Sequence, residues 1–150
     1  MRKAGSGETI GWARQAHYRA SINPRENKCR RATVVMDIER VQPRVWNSRA
    51  SVYRDMVFLS GAVAEDKTLP MKGQTEQVLA KIDNDLAEAG THKSRILSAT
   101  VYLAEISRKE EMNEAWMAWI DPDNMPCRTA VGVALTPGTL VEITVCAARY

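Results

Sequence analysis

The first third of the globular part of the chain alternates apolar and polar positions with a period of two. Met36–Gln42 places Met, Ile and Val between charged or polar neighbours, which predicts a half-buried strand. Arg49–Tyr53 and Met56–Ala62 flank the Arg54–Asp55 pair, a pattern that is typical of a β-hairpin. We therefore expect three strands before the first helix.

Two later segments change to the helical period. From Gly73 to Ala89 the apolar residues fall on one stripe, and Gly90 is expected to stop the helix; the stripe consists of Val78, Leu79, Ile82, Leu86 and Ala89. Ser107 and Glu110 have the spacing of a capping box, which predicts the start of a second helix. The apolar face of this helix consists of Met112, Ala115, Trp116, Trp119 and Ile120. We expect its two tryptophans to be core residues. A turn over residues 121–124 is expected to end this second helix.

Three more strands are predicted, Ile96–Leu103 between the helices and Arg128–Leu135 and Leu140–Ala148 after them. The order is therefore β-β-β-α-β-α-β-β, an α+β pattern that favours one sheet of about six strands with both helices on one face. The other face of such a sheet would expose apolar side chains. Oligomerisation around that face is the physical expectation.

The N-terminal 35 residues show neither the strand period nor the helical period, and the net positive charge of the chain comes from them. Residues 1–31 contain eight Lys or Arg against two Glu, a net charge of +6, whereas the rest has 13 basic and 16 acidic residues, a net charge of −3. We interpret residues 1–35 as a loosely ordered extension or an upstream leader, and expect residues 36–150 to fold and act without it. A mitochondrial presequence and a basic nucleic-acid-binding arm are the functional alternatives.

Composition places the protein among soluble globular domains. Apolar residues make up 45% and charged residues 26% of the 150 residues, and no stretch approaches the roughly 20 apolar residues of a membrane helix. The three cysteines have no paired spacing and no neighbouring histidine, so we expect reduced thiols in a cytoplasmic protein, with no structural metal.

Several segments, in this order, resemble the reactive intermediate deaminase (RidA/YjgF) family. The most specific are the Pro126-Cys127-Arg128-Thr129 segment, similar to a Pro-Ala-Arg-Ser/Thr signature, and the closing Val141-Glu142-Ile143. The others are Met56–Val63 ending in Ser-Gly, Gln74–Leu79 with Leu86–Gly90, and Met112-Asn113-Glu114 followed by Trp116. Together they cover about Ile38 to Arg149.

The resemblance implies a fold and an activity. The fold is a chorismate-mutase-like α+β domain assembled as a homotrimer, with three sites in clefts between subunits. The activity is hydrolysis of 2-aminoacrylate and related enamines or imines to 2-oxo acids and ammonia, with no metal or organic cofactor. Older family names, translation inhibitor and perchloric-acid-soluble endoribonuclease, imply a second activity.

Arg128 and Glu142 are the candidate catalytic residues. A guanidinium binds a planar carboxylate through two parallel N–H···O bonds, which suits a small imino or oxo acid as substrate. Glu142 interrupts an apolar strand, where its carboxylate is placed to orient or deprotonate the attacking water. The structural alternatives are a subunit-bridging arginine and an outward, solvated glutamate.

Four other residues are candidate substrate contacts. Ser60 and Asn113 match family positions that line or approach the cleft, although a turn serine and a helix-surface amide explain them equally well. Asn47, beside Trp46, stands where the family often has a tyrosine. Cys127 replaces the usual alanine before the arginine; we interpret it as a residue at the rim of the cleft with a redox-sensitive thiol, and not as the catalyst.

Two further function classes stay open beside the deaminase. The first is an RNA-acting protein, which the acidic domain and the lack of a histidine pair for acid–base cleavage disfavour. The second is a non-catalytic module that binds small carboxylated metabolites through the same arginine. No membrane partner is expected.

Overall fold

The computed structural model describes residues 37–150, and their secondary structure follows the predicted order with one added strand. The elements are β1 (Glu39–Pro43), β2 (Ser48–Tyr53), β3 (Met56–Leu59), β4 (Ala62–Val63), α1 (Met71–Glu88), β5 (Ile96–Leu103), α2 (Lys109–Trp119), β6 (Cys127–Gly132) and β7 (Val141–Ala148). The predicted N-terminal extension, residues 1–35, lies outside the described residues, as does the Met36 end of the predicted first strand.

All strands belong to one mixed sheet with the order β1-β2-β3-β7-β5-β6, and β4 also pairs with β7. The β5–β6 pair is parallel and the other pairs are antiparallel. The parallel pair follows from the chain path, since α2 carries the chain back from the end of β5 to the start of β6. The α+β fold with a single mixed sheet is confirmed.

The core lies between the two helices and one face of the sheet. The predicted stripe of α1 is buried, and so are four of the five predicted apolar positions of α2, while Trp119 packs against the core partly exposed. Along β7, Val141, Ile143, Val145 and Ala147 are buried and alternate with half-buried residues. Alternation therefore assigns every second residue of each strand to the opposite face, called here the open face.

Apolar side chains on the open face remain accessible in the single chain. Phe58 is 47% exposed there, and Leu97 is 46% exposed at the irregularity where β5 begins. None of the helices within residues 37–150 is long and apolar enough to cross a membrane.

Gly90 ends α1 as predicted, and the backbone shows why. Its φ of 76° lies in the left-handed region, the Gly90 N–H donates to the Ala87 carbonyl, and the Thr91 N–H donates to the Leu86 carbonyl. These two bonds form a Schellman motif, in which a glycine accepts the backbone conformation that other residues avoid.

The predicted strand Met56–Ala62 is wrong in one respect, because it is two strands interrupted at Ser60 and Gly61. The Ser60 N–H donates to the Arg49 carbonyl at 2.9 Å and its hydroxyl donates to the Ser48 carbonyl at 2.6 Å. These bonds turn the backbone away from regular pairing with β7. The apolar run in the sequence does not reveal this interruption.

The predicted capping box is also wrong. Ser107 lies inside a 3-10 turn (Ile106–Arg108), and α2 begins at Lys109 without a side-chain cap. Arg108 instead holds the carboxylate of Glu111 through two hydrogen bonds of 2.7 and 2.8 Å, while Glu110 accepts a bond from Asn113. β6 is shorter than predicted, ending at Gly132.

Candidate functional site

Arg128 extends from an edge strand toward the second helix. It pairs with the buried Ala99 of β5, so its side chain lies on the helix-covered face. The guanidinium carbon is 5.0 Å from the centre of the Trp116 ring, and the Nη2 atom donates to Asn113 Oδ1 at 2.8 Å. Nη1 is 3.8 Å from the sulfur of Met112. Three residues of one helix thus fix the plane and position of the guanidinium.

The charge of Arg128 is partly desolvated and has no counter-ion among residues 37–150. Burial lowers the pKa of Arg128, and the negative charge of Glu110 acts in the opposite direction. No carboxylate in the part of the chain that the structure describes forms an ion pair with it. A guanidinium has five N–H donors, of which the Asn113 oxygen accepts one and the Met112 sulfur a second. The remaining donors can bind an anion.

Asn113 is held in the orientation that Arg128 needs. Its amide nitrogen donates to Glu110 Oε2 at 3.1 Å, which leaves its oxygen to accept from the guanidinium. The structure thus places Asn113 beside Arg128, where its oxygen satisfies one guanidinium N–H.

Glu142 lies on the open face of the sheet, as its alternation with Val141 and Ile143 indicates. It pairs with Tyr102 on one side and with Val63 on the other, and it is half-buried. Its carboxylate packs directly against Gly61, where an added Cβ would lie 1.9 Å from Oε1. The interruption between β3 and β4 therefore supplies the space that the carboxylate occupies.

Ser60 belongs to the same corner, next to Gly61. Its hydroxyl hydrogen is committed to the Ser48 carbonyl, so the oxygen is available only as an acceptor. Ser60, Gly61 and Glu142 form one group of polar and small residues where β3 ends.

The two groups do not meet within one chain. Arg128 is opposite Ala99 and Glu142 is opposite Tyr102, three residues apart along β5, which is roughly 10 Å. The odd spacing also places them on opposite faces. A site that uses both side chains therefore needs two copies of the chain.

The remaining predicted contacts lie elsewhere. Cys127 is an exposed free thiol that pairs with Ser98, so it faces away from the guanidinium of its neighbour Arg128. Asn47 and Trp46 occupy the turn between β1 and β2, where the Asn47 carbonyl accepts from the Arg44 N–H at 2.7 Å. Trp46 is 94% exposed, which leaves its indole free to contact another molecule.

The sequence did not reveal the parts played by Trp116 and Met112 at this site. Both were predicted as core, and both are buried, at 3% and 0% exposure. Their additional contact with Arg128 depends on how α2 lies over β6, which periodicity does not specify. The only signal in the sequence is that Met112 and Trp116 are four residues apart, which places them on the same face of the helix, with Asn113 next to Met112. Residues 37–150 contain no group of three or more His, Cys, Asp or Glu placed to hold a metal ion.

Comparison with known proteins agrees with this architecture. The family model described as endoribonuclease L-PSP matches residues 38–149. A RutC family protein of Haemophilus ducreyi is 43% identical over 102 residues, covering 67% of this chain and 87% of its own length. The RutC family protein YoaB of Escherichia coli is 34% identical over 114 residues, covering 75% of this chain and 99% of its own.

A solved structure shows the same fold. The YjgF family protein NMB1025 of Neisseria meningitidis superposes with a TM-score of 0.74 at 36% identity, covering 77% of this chain and 97% of its own. These names identify a family and do not specify a substrate.

Proposed function

Because the chain belongs to the RidA/YjgF family, described also as endoribonuclease L-PSP, we propose that it hydrolyses reactive enamine and imine intermediates. The substrates are small 2-imino acids of the 2-aminoacrylate type, and the products are 2-oxo acids and ammonia. Arg128 binds the substrate carboxylate, and Glu142 acts on the water. No metal or organic cofactor takes part in this proposal.

The observation that carries the proposal is the uncompensated charge of Arg128. A partly desolvated cation without an ion-pair partner is costly unless an anion completes the site. A planar carboxylate matches the remaining donors of the guanidinium, which Trp116 and Asn113 hold in a fixed plane. A guanidinium held in this way is suited to binding a small carboxylate, whereas a flexible surface arginine would not have a fixed plane.

Hydrolysis requires a second group, and Glu142 is suited to it. Water adds to the C=N carbon while the carboxylate takes one of its protons and passes it to the nitrogen, which gives a carbinolamine. The carboxylate then moves the remaining hydroxyl proton to the amine, and the C–N bond breaks as the carbonyl forms and ammonia leaves. Glu142 of one copy would approach Arg128 of another in the homotrimer that the family resemblance implies. Ser60 and Gly61 lie next to Glu142 in the same chain, so they would line the same cleft.

The test is a coupled assay in which an amino-acid oxidase or a dehydratase generates imines from several amino acids. We expect the protein to accelerate the release of ammonia and 2-oxo acid. Arg128→Lys keeps the charge but loses the fork geometry, and a charge-assisted hydrogen bond contributes about 1.5–3 kcal/mol, so kcat/KM should fall about ten- to several-hundred-fold. Arg128→Ala should be worse.

Arg108→Lys is the matched control, because Arg108 also lies next to α2 but is paired with Glu111. It should retain activity. Full activity in Arg128→Ala would refute the site. Binding of 2-oxo acids through Arg128 without any acceleration of ammonia release would instead identify a non-catalytic metabolite-binding module. The same unpaired guanidinium supports that second candidate function.

RNA cleavage has no comparable support among the described residues, since these include one histidine, His92, whose ring contacts Ser94.

A further inference from the structure

A groove separate from the Arg128 site lies along the seam between the two helices. Its volume is about 280 Å³, and it opens to solvent, since Ala80 and Ala118 at its walls are exposed. With Ala115, these residues are too short to fill the space between the helices. Leu79 and the indole of Trp119 complete an apolar floor.

Charged side chains stand at both ends of this floor. Glu76 and Asp83 are seven residues apart on α1, so they share one face and are separated by roughly 10 Å. Lys93 lies at the Asp83 end, where its Nζ atom is 5.4 Å from the centre of the Trp119 ring. One end of the groove therefore carries both signs of charge, and the other end carries a carboxylate alone.

These groups have binding capacity that the fold does not use. Asp83 accepts one bond from Trp119 Nε1 at 2.8 Å through a single oxygen. Lys93 donates one of its three N–H bonds to the Trp119 carbonyl at 2.7 Å, which satisfies the end of α2 and leaves two donors. Glu76 has neither a hydrogen bond nor an ion pair with any residue between 37 and 150. Lys93 and Asp83 do not pair with each other within the same range.

We propose that this groove binds a free basic α-amino acid of the lysine type. Its carboxylate contacts Lys93, its α-ammonium contacts Asp83, and its aliphatic chain lies on the alanine floor. Its ω-ammonium then reaches Glu76. Six bonds separate the two ammonium nitrogens of an extended lysine by about 7.5 Å, and an ion-pair contact of about 3 Å at each end brings the span to about 13 Å. This span suits two carboxylates whose helix positions are roughly 10 Å apart, since their side chains can extend beyond those positions.

Each simpler ligand leaves one charge of the groove without a partner. An apolar amino acid such as norleucine does not reach Glu76, and an alkyl diamine offers nothing to Lys93. The groove is also small, since pockets for drug-sized ligands span about 300–1,000 Å³, which fits a single metabolite better than a peptide or a partner helix. The site is independent of the proposed hydrolysis at Arg128.

The test is isothermal titration calorimetry of the full chain with L-lysine. We expect saturable binding of one lysine per chain with a Kd of about 0.1–5 mM, as befits a small ligand in an open groove. Norleucine and 1,5-diaminopentane should each bind at least about fivefold more weakly, since each loses a charged contact. Tryptophan fluorescence should report the same transition, because Trp119 forms one wall.

Two variants locate the site. Ala118→Leu fills the groove from an exposed position and should abolish lysine binding. Glu76→Gln should weaken lysine binding at least about fivefold, to the level of norleucine. Glu88→Gln, in the last turn of the same helix but outside the groove, is the control and should bind lysine normally. Absence of saturable lysine binding, equal affinity for norleucine, or unaltered binding by Ala118→Leu would each overturn the proposal.

Discussion

Gly61→Ala tests the position of the Glu142 carboxylate without changing either functional group. The new Cβ would lie 1.9 Å from Oε1 and 2.9 Å from the carboxyl carbon of Glu142. An ordinary contact of carbon with a second-row atom is about 3.5 Å, so the oxygen must move by roughly 1.5 Å. The backbone itself accepts alanine, because Gly61 is not among the glycines with positive φ.

The displacement should lower the rate of the chemical step and leave binding almost intact. A misplacement of about 1 Å at a catalytic group can cost roughly 100-fold in rate. We therefore expect kcat for imine hydrolysis to fall about 30- to 100-fold, while the affinity for a 2-oxo acid, which depends on Arg128, changes less than about threefold. The measurement is steady-state kinetics in the coupled assay, together with calorimetric titration of the product.

Gly73→Ala is the control for adding a methyl group. It lies in α1, where the added Cβ would be 3.3 Å from the Leu69 side chain, and it should leave kcat unchanged. Wild-type kcat in Gly61→Ala would show that the carboxylate does not act where the structure places it. Equal losses of product affinity and kcat would instead show that the methyl group obstructs the cleft.

Three predictions concern stability and assembly. Asp85→Asn leaves the buried Arg49 without its counter-ion and should lower the free energy of unfolding by about 3–5 kcal/mol in urea titrations. Gln74→Met removes four hydrogen bonds from a fully buried amide that joins the loop before α1 to the loop before β7, so we expect a loss of about 2–4 kcal/mol by the same method. Phe58→Glu should dissociate the expected trimer in sedimentation velocity, and a wild-type monomer at micromolar concentration would contradict that assembly.

The elements that the sequence predicts well are those defined by many residues at once. The α1 stripe comes from repeated helical periodicity and is buried as predicted, and β5 has the predicted bounds, Ile96–Leu103. Signals that depend on one or two residues are less reliable. At the expected cap, the Glu110 carboxylate accepts from Asn113 and Ser107 lies in a 3-10 turn, so the reciprocal bonds of a capping box do not form.

The candidate site shows the same division. Sequence motifs select Arg128, Asn113 and Glu142, but the face that each side chain uses depends on strand register. Register depends on pairing between segments that are far apart in sequence, here β5 with β6 and β7. Local alternation with Val141 and Ile143 indicates the face of Glu142, but no local pattern indicates that Arg128 lies on the other face.

That separation leads to a test by subunit complementation. Arg128→Ala and Glu142→Gln chains should each be nearly inactive alone. If every site takes Arg128 from one copy and Glu142 from the next, random mixed trimers from equal amounts of both chains should contain an intact pair at about one quarter of their interfaces. After co-refolding or co-expression, activity should therefore recover to about 25% of the wild type if each interface acts independently. Trimers mixed from Arg128→Ala and wild-type chains are the reference, because they show how far inactive chains lower the activity when no complementation occurs.

If the mixed mutant trimers assemble but remain inactive, both side chains must act from the same chain. That result would contradict the placement of the two side chains on opposite faces of the sheet.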